Sequence, residues 1–219
     1  AQYNTVGGTD AGNASNWGTA AEKSTLFGYK AGTAISTVDE NTFIGYEAGK
    51  TVTTLGRNTL IGYQAGAGGN LEGNVCIGYK TGYSMTGAGN QAIGYEAMGS
   101  ATSASSCQAI GNYALQNGGT GSYMIGIGPQ ALQHPSSGTT KCIALGRSAL
   151  RNVSGDKNIA LGYNAGNDNS NTVSGAGNII IGDECANTLT SGEANVTIGQ
   201  NTAQTLTTGD NNIVIGANA

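Results

Sequence analysis

The sequence NTFIGYEAG, residues 41–49, returns seventeen residues later as NTLIGYQAG, residues 58–66, and in a looser form as NIALGYNAG, residues 158–166. Self-similarity at a fixed period is the signature of repeat architectures. The pattern N-x-x-I-G-x-x-A occurs in thirteen copies spaced 16 to 20 residues apart, with its glycines at Gly8, Gly28, Gly45, Gly62, Gly78, Gly94, Gly111, Gly128, Gly146, Gly162, Gly182, Gly199 and Gly216. These copies predict a single repeat domain over residues 1–219.

The three residues before each repeated glycine have the composition of a short β-strand. The third is Ile, Leu or Phe in every copy but the first, and the first drifts from Thr to Ile along the chain. The residue between them is also mostly apolar or small, and an apolar run without alternation is typical of parallel strands covered on both faces. We expect the third-position column to lie inside the coil, as at Ile44, Ile61, Ile77 and Ile93. The middle column should then face outward, as at Phe43, Leu60, Ala92, Ala109 and Ala160.

The residues after the glycine predict how the chain returns. Glycine suits a corner, because it tolerates positive φ and close approach of another backbone. The residue three places later is Ala in ten copies, as a crowded inward position requires, and a weaker apolar column seven places later predicts a second short strand at Ile35, Val52, Met85, Val153, Leu189 and Leu206. The sequence therefore predicts an all-β fold, a parallel β-roll (a β-solenoid) of about 13 coils of ~17 residues, about 58 Å long at ~4.8 Å per coil.

The composition excludes several classes of protein. Glycine makes up 38 of 219 residues, without the one-in-three period of collagen. The net charge is −4, so we expect no nucleic-acid partner. No apolar run is long enough to span a membrane, and Ala1-Gln2-Tyr3 does not begin a signal peptide, so we expect a mature form or an excised segment that does not insert into a membrane.

The sequence offers little for catalysis, and we expect no enzyme activity and no catalytic, cofactor-binding or metal-binding residues. The single histidine, His134, stands beside Pro135 in a predicted turn. It reads as a loop residue, with a metal shared by three symmetry-related copies as the alternative. Gly66-Ala67-Gly68-Gly69 lacks the helix and the Lys-Ser/Thr pair of a phosphate loop. The four cysteines are expected to be small apolar fillers: Cys76, Cys107, Cys142 and Cys185.

One column of aromatic residues stands out as the candidate binding site. The residue after the glycine is tyrosine in five successive copies, at Tyr29, Tyr46, Tyr63, Tyr79 and Tyr95, and again at Tyr163. Rings repeated at coil spacing can stack on each other and protect the corner of the roll. They can also form a strip that binds a sugar or a protein partner. Both interpretations stay open at this point.

The repeats resemble two known groups. Residues 91–94 (QAIG) and 159–162 (IALG) resemble the head repeats of trimeric autotransporter adhesins of the YadA type, and the copies with Tyr after the Gly resemble repeats of bacteriophage tail fibres. The resemblance implies a left-handed parallel β-roll, a homotrimer and a role as a rigid trimeric fibre segment that attaches to a host cell. It implies an extracellular location, on a virion tail fibre or a bacterial surface, and a cell-surface glycan or protein receptor as partner.

An apolar outward column also predicts self-association, because a bare apolar stripe along a rod exceeds what a soluble monomer tolerates. The period alone does not separate two chains from three.

Two functions other than attachment remain. A filament stacked end to end is suggested by the lack of polar caps before Asn4 and after Ala219. An ice-binding solenoid is suggested by the threonine column, which fails after four copies: Thr5, Thr25, Thr42 and Thr59.

Overall fold

The computed structural model describes residues 3–13, 23–37, 40–167 and 171–219. The described residues form fifteen short strands and no helix, and so contain no helix able to cross a membrane. The strands are β1 Thr5–Gly7, β2 Thr25–Phe27, β3 Thr42–Ile44, β4 Thr59–Ile61, β5 Val75–Ile77, β6 Gln91–Ile93, β7 Gln108–Ile110, β8 Ile125–Ile127, β9 His134–Pro135, β10 Ile143–Leu145, β11 Asn152–Val153, β12 Ile159–Leu161, β13 Ile179–Ile181, β14 Val196–Ile198 and β15 Ile213–Ile215.

Thirteen of these strands, one from each repeat, form a single parallel sheet. They follow one another in chain order, while β9 and β11 pair separately. The register matches the repeat residue for residue: Thr42 pairs with Thr59, and Ile44 with Ile61. Each coil therefore adds one strand to the sheet, next to the strand of the preceding coil. This confirms the predicted parallel β-solenoid of about thirteen coils. Its left hand and its trimeric state stay predictions.

The assignment of the two strand faces was wrong, and the structure reverses it. The middle column is buried in every strand of the sheet except β1 and β15 at its two ends, and it includes Phe43 and Leu60. The third residue faces outward and is 38% exposed at Ile44 and 37% at Ile93. Outward-facing Ile61 and Ile77 are partly exposed. The buried middle column also contains Ala92, Ala109 and Ala160.

The physical reason lies in strand parity. The first and third residues of a strand share a face, so Gln91 and Ile93 must point the same way. A glutamine inside so thin a coil would lack space and hydrogen-bond partners, whereas outside it is solvated. The interior takes only one side chain per strand, and that side chain comes from the middle position.

The rest of the core follows the prediction more closely. The small residue three places after the glycine is buried in eleven coils, and it is Thr81, Cys185 or Thr202 where it is not Ala. The column seven places after the glycine is buried at Ile35, Val52, Met85, Val153 and Leu189, and Leu206 packs partly against it. Among the described residues, however, the predicted second strand forms only where β9 pairs with β11, with a single further bridge from Val153 to Val173. In the other described coils the chain crosses this side in turns and irregular loops.

An asparagine opens nine of the thirteen repeats, and these side chains form a second ladder that is buried from Asn41 to Asn195. Asn58 Oδ1 accepts the backbone N–H of Asn74 at 3.0 Å, and Asn74 Oδ1 accepts that of Asn90 at 2.8 Å. The side-chain amides of six ladder asparagines also donate to a carbonyl of the turn, as Asn74 Nδ2 does to Gly87 O at 3.0 Å. The asparagines thus satisfy backbone groups that the short strands leave unpaired.

Candidate binding surface

The five predicted tyrosines form a continuous stack along one corner of the rod. Ring centroids of successive residues lie 5.1, 5.1, 5.1 and 4.9 Å apart, in the order Tyr29, Tyr46, Tyr63, Tyr79 and Tyr95. The last three interplanar angles are only 7–8°. The rings therefore face each other, and each tyrosine presents its outer edge to solvent.

Both ends of the stack are closed by other side chains. Lys30 Nζ lies 5.1 Å from the Tyr29 centroid, and its hydrogen bond to Tyr29 raises the lysine pKa. At the other end Tyr113 contacts Tyr95 edge-on, with centroids 5.2 Å apart. Burial raises the pKa of Tyr95, so this phenol stays protonated to higher pH. Tyr163 stands apart, with the Arg147 guanidinium 5.8 Å from its ring.

Beside the stack, the outward face of the thirteen-stranded sheet carries two columns. The third-position column is apolar from Phe27 onward and stays accessible, with the highest exposure at its two ends: 61% at Phe27 and 65% at Ile215. The first-position column changes along the rod, from Thr in β1–β4 through Val75, Gln91 and Gln108 to Ile or Val from β8 onward. The C-terminal half of this face is consequently apolar in both columns.

A network of long polar side chains crosses the coils on the other side of the stack. Arg151 Nε donates to Gln133 Oε1 at 2.8 Å, and Gln133 Nε2 donates to Gln116 Oε1 at 3.0 Å. Gln116 Nε2 then donates to Glu96 Oε2 at 2.7 Å. The chain of hydrogen bonds links a cation to an anion across four coils and orients the Glu96 carboxylate.

Two open cavities lie on the described surface. One, of about 200 Å³, is lined by Lys80, Tyr83, Ser84, Glu96, Gly99 and Ser100. The other, of about 310 Å³, is lined by Thr37, Glu40, Thr54, Leu55, Gly56, Arg57 and Glu72. In this second cavity Arg57 and Glu72 pair at 2.9 Å, and Glu40 pairs with Lys23 at 3.7 Å, so each charged side chain of the lining has a partner of opposite sign.

The remaining candidates take structural positions. His134 lies in β9, paired with Asn152, rather than in the predicted turn. Its Nδ1 lies 2.7 Å from Asn117 Nδ2, and burial lowers its pKa. The four cysteines are buried and unpaired, and burial raises the pKa of Cys76 to about 12. Among the described residues, no three His, Cys, Asp or Glu side chains cluster as metal ligands would.

The sequence did not point to the cavity beside the stack. Tyr83 falls outside the tyrosine column, and Gly99 is one of 38 glycines. A signal existed in the column five places after the repeated glycine, where Gly99 interrupts a series of larger side chains. No family profile, curated protein or solved structure matches this chain.

Proposed function

We propose that this chain is a segment of a rigid, homotrimeric fibre that attaches to cell surfaces, in a tail fibre or an adhesin head. One observation carries the proposal: the outward Ile and Leu column runs along the sheet and is exposed in a single chain. An apolar strip of this length is unfavourable in water, and further copies of the same chain can bury it because their strips have the same length and period. The resemblance of the repeats to those of trimeric fibres favours three copies.

The dimensions suit such an assembly. A face about 58 Å long and three residues wide covers on the order of 600 Å² in projection, and the relief of side chains adds to that area. Stable interfaces bury roughly 800 Å² per partner. The face therefore provides most of the contact that a stable assembly needs.

The change of chemistry along the face favours parallel chains. In a parallel assembly Ile143 and Ile159 meet their own copies, and Gln91 meets Gln91, so that apolar and polar levels each match. An antiparallel pair would place the Ile and Val residues at the first positions of β12–β15 against the threonines of β1–β4. Parallel packing buries more apolar surface without stranding polar groups.

The assembly is tested with charges on the outward face. Ile143→Glu with Leu161→Glu would bring like charges together about the axis, so we expect this variant to fail to assemble. The control, Thr86→Glu with Ser136→Glu, places the same charges on exposed positions of another side and should remain trimeric. Sedimentation of the native protein as a monomer overturns the trimer.

Attachment is tested separately, by binding of the labelled native protein to bacterial cells and to immobilised glycans. Binding to neither contradicts the proposed role. Electron microscopy tests the alternative of a filament: stacked chains would give long end-to-end fibres, whereas a discrete fibre segment would give rods of about 58 Å.

The ice-binding alternative has one favourable observation, since Thr25, Thr42 and Thr59 do lie on the outward face. If the native protein inhibits ice recrystallisation and a variant with these threonines changed to lysine does not, the ice-binding function is supported in place of attachment.

A further inference from the structure

The cavity of about 200 Å³ beside the tyrosine stack exists because one column of side chains is interrupted. The position five residues after the repeated glycine holds Tyr83, Gly99, Gln116, Gln133 and Arg151 in five successive coils. Gln116, Gln133 and Arg151 reach across to neighbouring coils and fill the groove. Gly99 has no side chain, so a slot opens between Tyr83 and Glu96.

The lining of this slot combines an aromatic ring with donors and acceptors. Tyr83 is 37% exposed and lies outside the stack. Lys80 Nζ stands 5.8 Å from the Tyr83 centroid and 5.5 Å from that of Tyr79, where it can donate toward the slot. Because Gln116 holds Glu96 Oε2 at 2.7 Å, the other carboxylate oxygen is oriented to accept. Ser84 and Ser100 add hydroxyls that can do both.

We infer that this slot binds one neutral pyranose unit of a surface polysaccharide. The inference rests on the proposed attachment function and gives it a ligand class and a location. A pyranose has an apolar C–H face that packs on an aromatic ring and a rim of hydroxyls that both donate and accept. One cation and one anion line the slot, so its charges balance and favour a neutral ring over an acidic one.

The slot rather than the stack suits recognition, because the stacked rings turn their faces to each other. A shallow site of this size binds weakly. Three copies on a trimer, engaging repeated units of one polymer, would raise the apparent affinity through effective concentration. The site therefore fits a repetitive neutral glycan better than an isolated sugar.

The test fills the slot. Gly99 makes the same turn as its neighbours: its N–H donates to Glu96 O at 3.0 Å, as that of Gln116 does to Tyr113 O at 3.3 Å. A Cβ on Gly99 would lie 3.2 Å from Glu96 O and 3.4 Å from both Glu96 Cβ and Lys80 O, so a side chain there requires these neighbours to shift by a few tenths of an ångström. Gly99→Gln thus continues the amide column into the slot. Tyr83→Leu removes the ring, and Tyr123→Leu is the control, because Tyr123 is an exposed tyrosine elsewhere.

The probes are an array of immobilised neutral and acidic oligosaccharides, followed by saturation-transfer NMR with the methyl pyranoside of the best-bound sugar. We expect native binding to a neutral sugar, at least tenfold weaker binding in Gly99→Gln and Tyr83→Leu, and unchanged binding in Tyr123→Leu, with equal melting temperatures. Binding that survives in Gly99→Gln, or that is confined to acidic sugars, overturns the slot while leaving attachment intact. If no sugar binds but labelled protein still binds cells, the slot proposal fails and a protein receptor remains. If the native protein binds neither a sugar nor cells, both the slot proposal and the attachment function are overturned.

Discussion

A methyl group on Gly49 would lie 2.5 Å from Cε2 of Phe43, so the two positions share one volume inside the coil. The same relation holds between the middle strand residue and the residue six places later in other coils. Where the first fills the space the second is Gly, as in Leu60 with Gly66. Where the first is small, the second is a buried Met or Leu: Ala92 with Met98, Ala109 with Leu115, Gly126 with Leu132 and Ala144 with Leu150. Most coils keep their interior volume by one of these two routes. In the coil of Ala160 and Gly166 both positions are small, and the adjacent coils fill the space instead: a Cβ on Gly166 would lie 2.9 Å from Ile180 Cδ1 and 3.0 Å from Leu150 Cδ2.

This complementarity predicts non-additive substitutions. Gly49→Leu should overpack the coil and cost about 1–3 kcal/mol, and Phe43→Ala should leave a cavity and cost about 3–5 kcal/mol. The double variant reproduces the arrangement of Ala109 with Leu115, whose φ of 49° resembles the 58° of Gly49. We expect its loss in unfolding free energy to be smaller than the sum by more than about 1 kcal/mol. Urea titration of all four proteins measures this, and additive losses would refute shared volume.

The corner glycines should be intolerant of any side chain. Gly62 has φ of 133°, and a Cβ there would lie 2.2 Å from the Gly78 carbonyl oxygen of the next coil. Gly73 also has positive φ, 62°, but a Cβ there would meet nothing within 4 Å. We expect Gly73→Ala to cost about 1 kcal/mol and Gly62→Ala to cost several times more, since backbone strain is added to a backbone clash. Similar melting temperatures for the two variants would count against a corner role.

Each asparagine of the ladder should contribute more to the free energy of unfolding than each cysteine that takes its place in the column. Asn74→Ala leaves the N–H of Asn90 and the Gly87 carbonyl without partners, so we expect a loss of about 3 kcal/mol or more. Cys107 occupies the same column but contacts the Met124 N–H only through sulfur, at 3.5 Å. Cys107→Ala should therefore cost roughly half as much. Denaturant unfolding compares the two, and equal losses would contradict the ladder.

Glu47 gives the fold a testable pH dependence. Hydrogen bonds from Lys50 Nζ at 2.9 Å and Gln64 Nε2 at 2.8 Å lower its pKa in the folded state. A lowered folded-state pKa contributes stability above the unfolded-state value of about 4.3, and that stability is lost as pH falls through the folded-state pKa. The native protein should exceed Glu47→Gln in stability near pH 7, and the gap should close in acid. Urea midpoints between pH 7 and pH 2 test this, and a gap that does not vary with pH would refute it.

The glycine period was enough to predict the solenoid, since a repeated Gly after a short apolar strand leaves few other folds. The alternation of side chains along each strand defines two faces but does not show which of them lies inside the coil. The glutamines at Gln91 and Gln108 carried that information, because they share a face with the isoleucine column. The stack followed from one tyrosine per coil at coil spacing. The slot at Gly99 could not be predicted, because it depends on where the side chain five places after the corner points.

The tyrosine stack itself offers a final prediction that separates its two possible roles. Phenylalanine keeps a ring of the same shape and removes only the outward hydroxyl, whereas alanine removes the stacking. If the stack stiffens the corner, Tyr63→Phe should melt like the native protein. Tyr63→Ala, which breaks two contacts of 5.1 Å, should then lose about 1–3 kcal/mol.

If the stack instead recognises a glycan or protein along its edge, glycan or cell binding should fall in Tyr63→Phe without a change in melting. Tyr163→Phe, in a ring that stands apart from the stack, is the control for loss of a hydroxyl. Because the ring faces cover one another, we expect the first pattern: stability lost in the alanine variant and binding kept in the phenylalanine variant. Binding lost in Tyr63→Phe but kept in Tyr163→Phe would assign recognition to the stack.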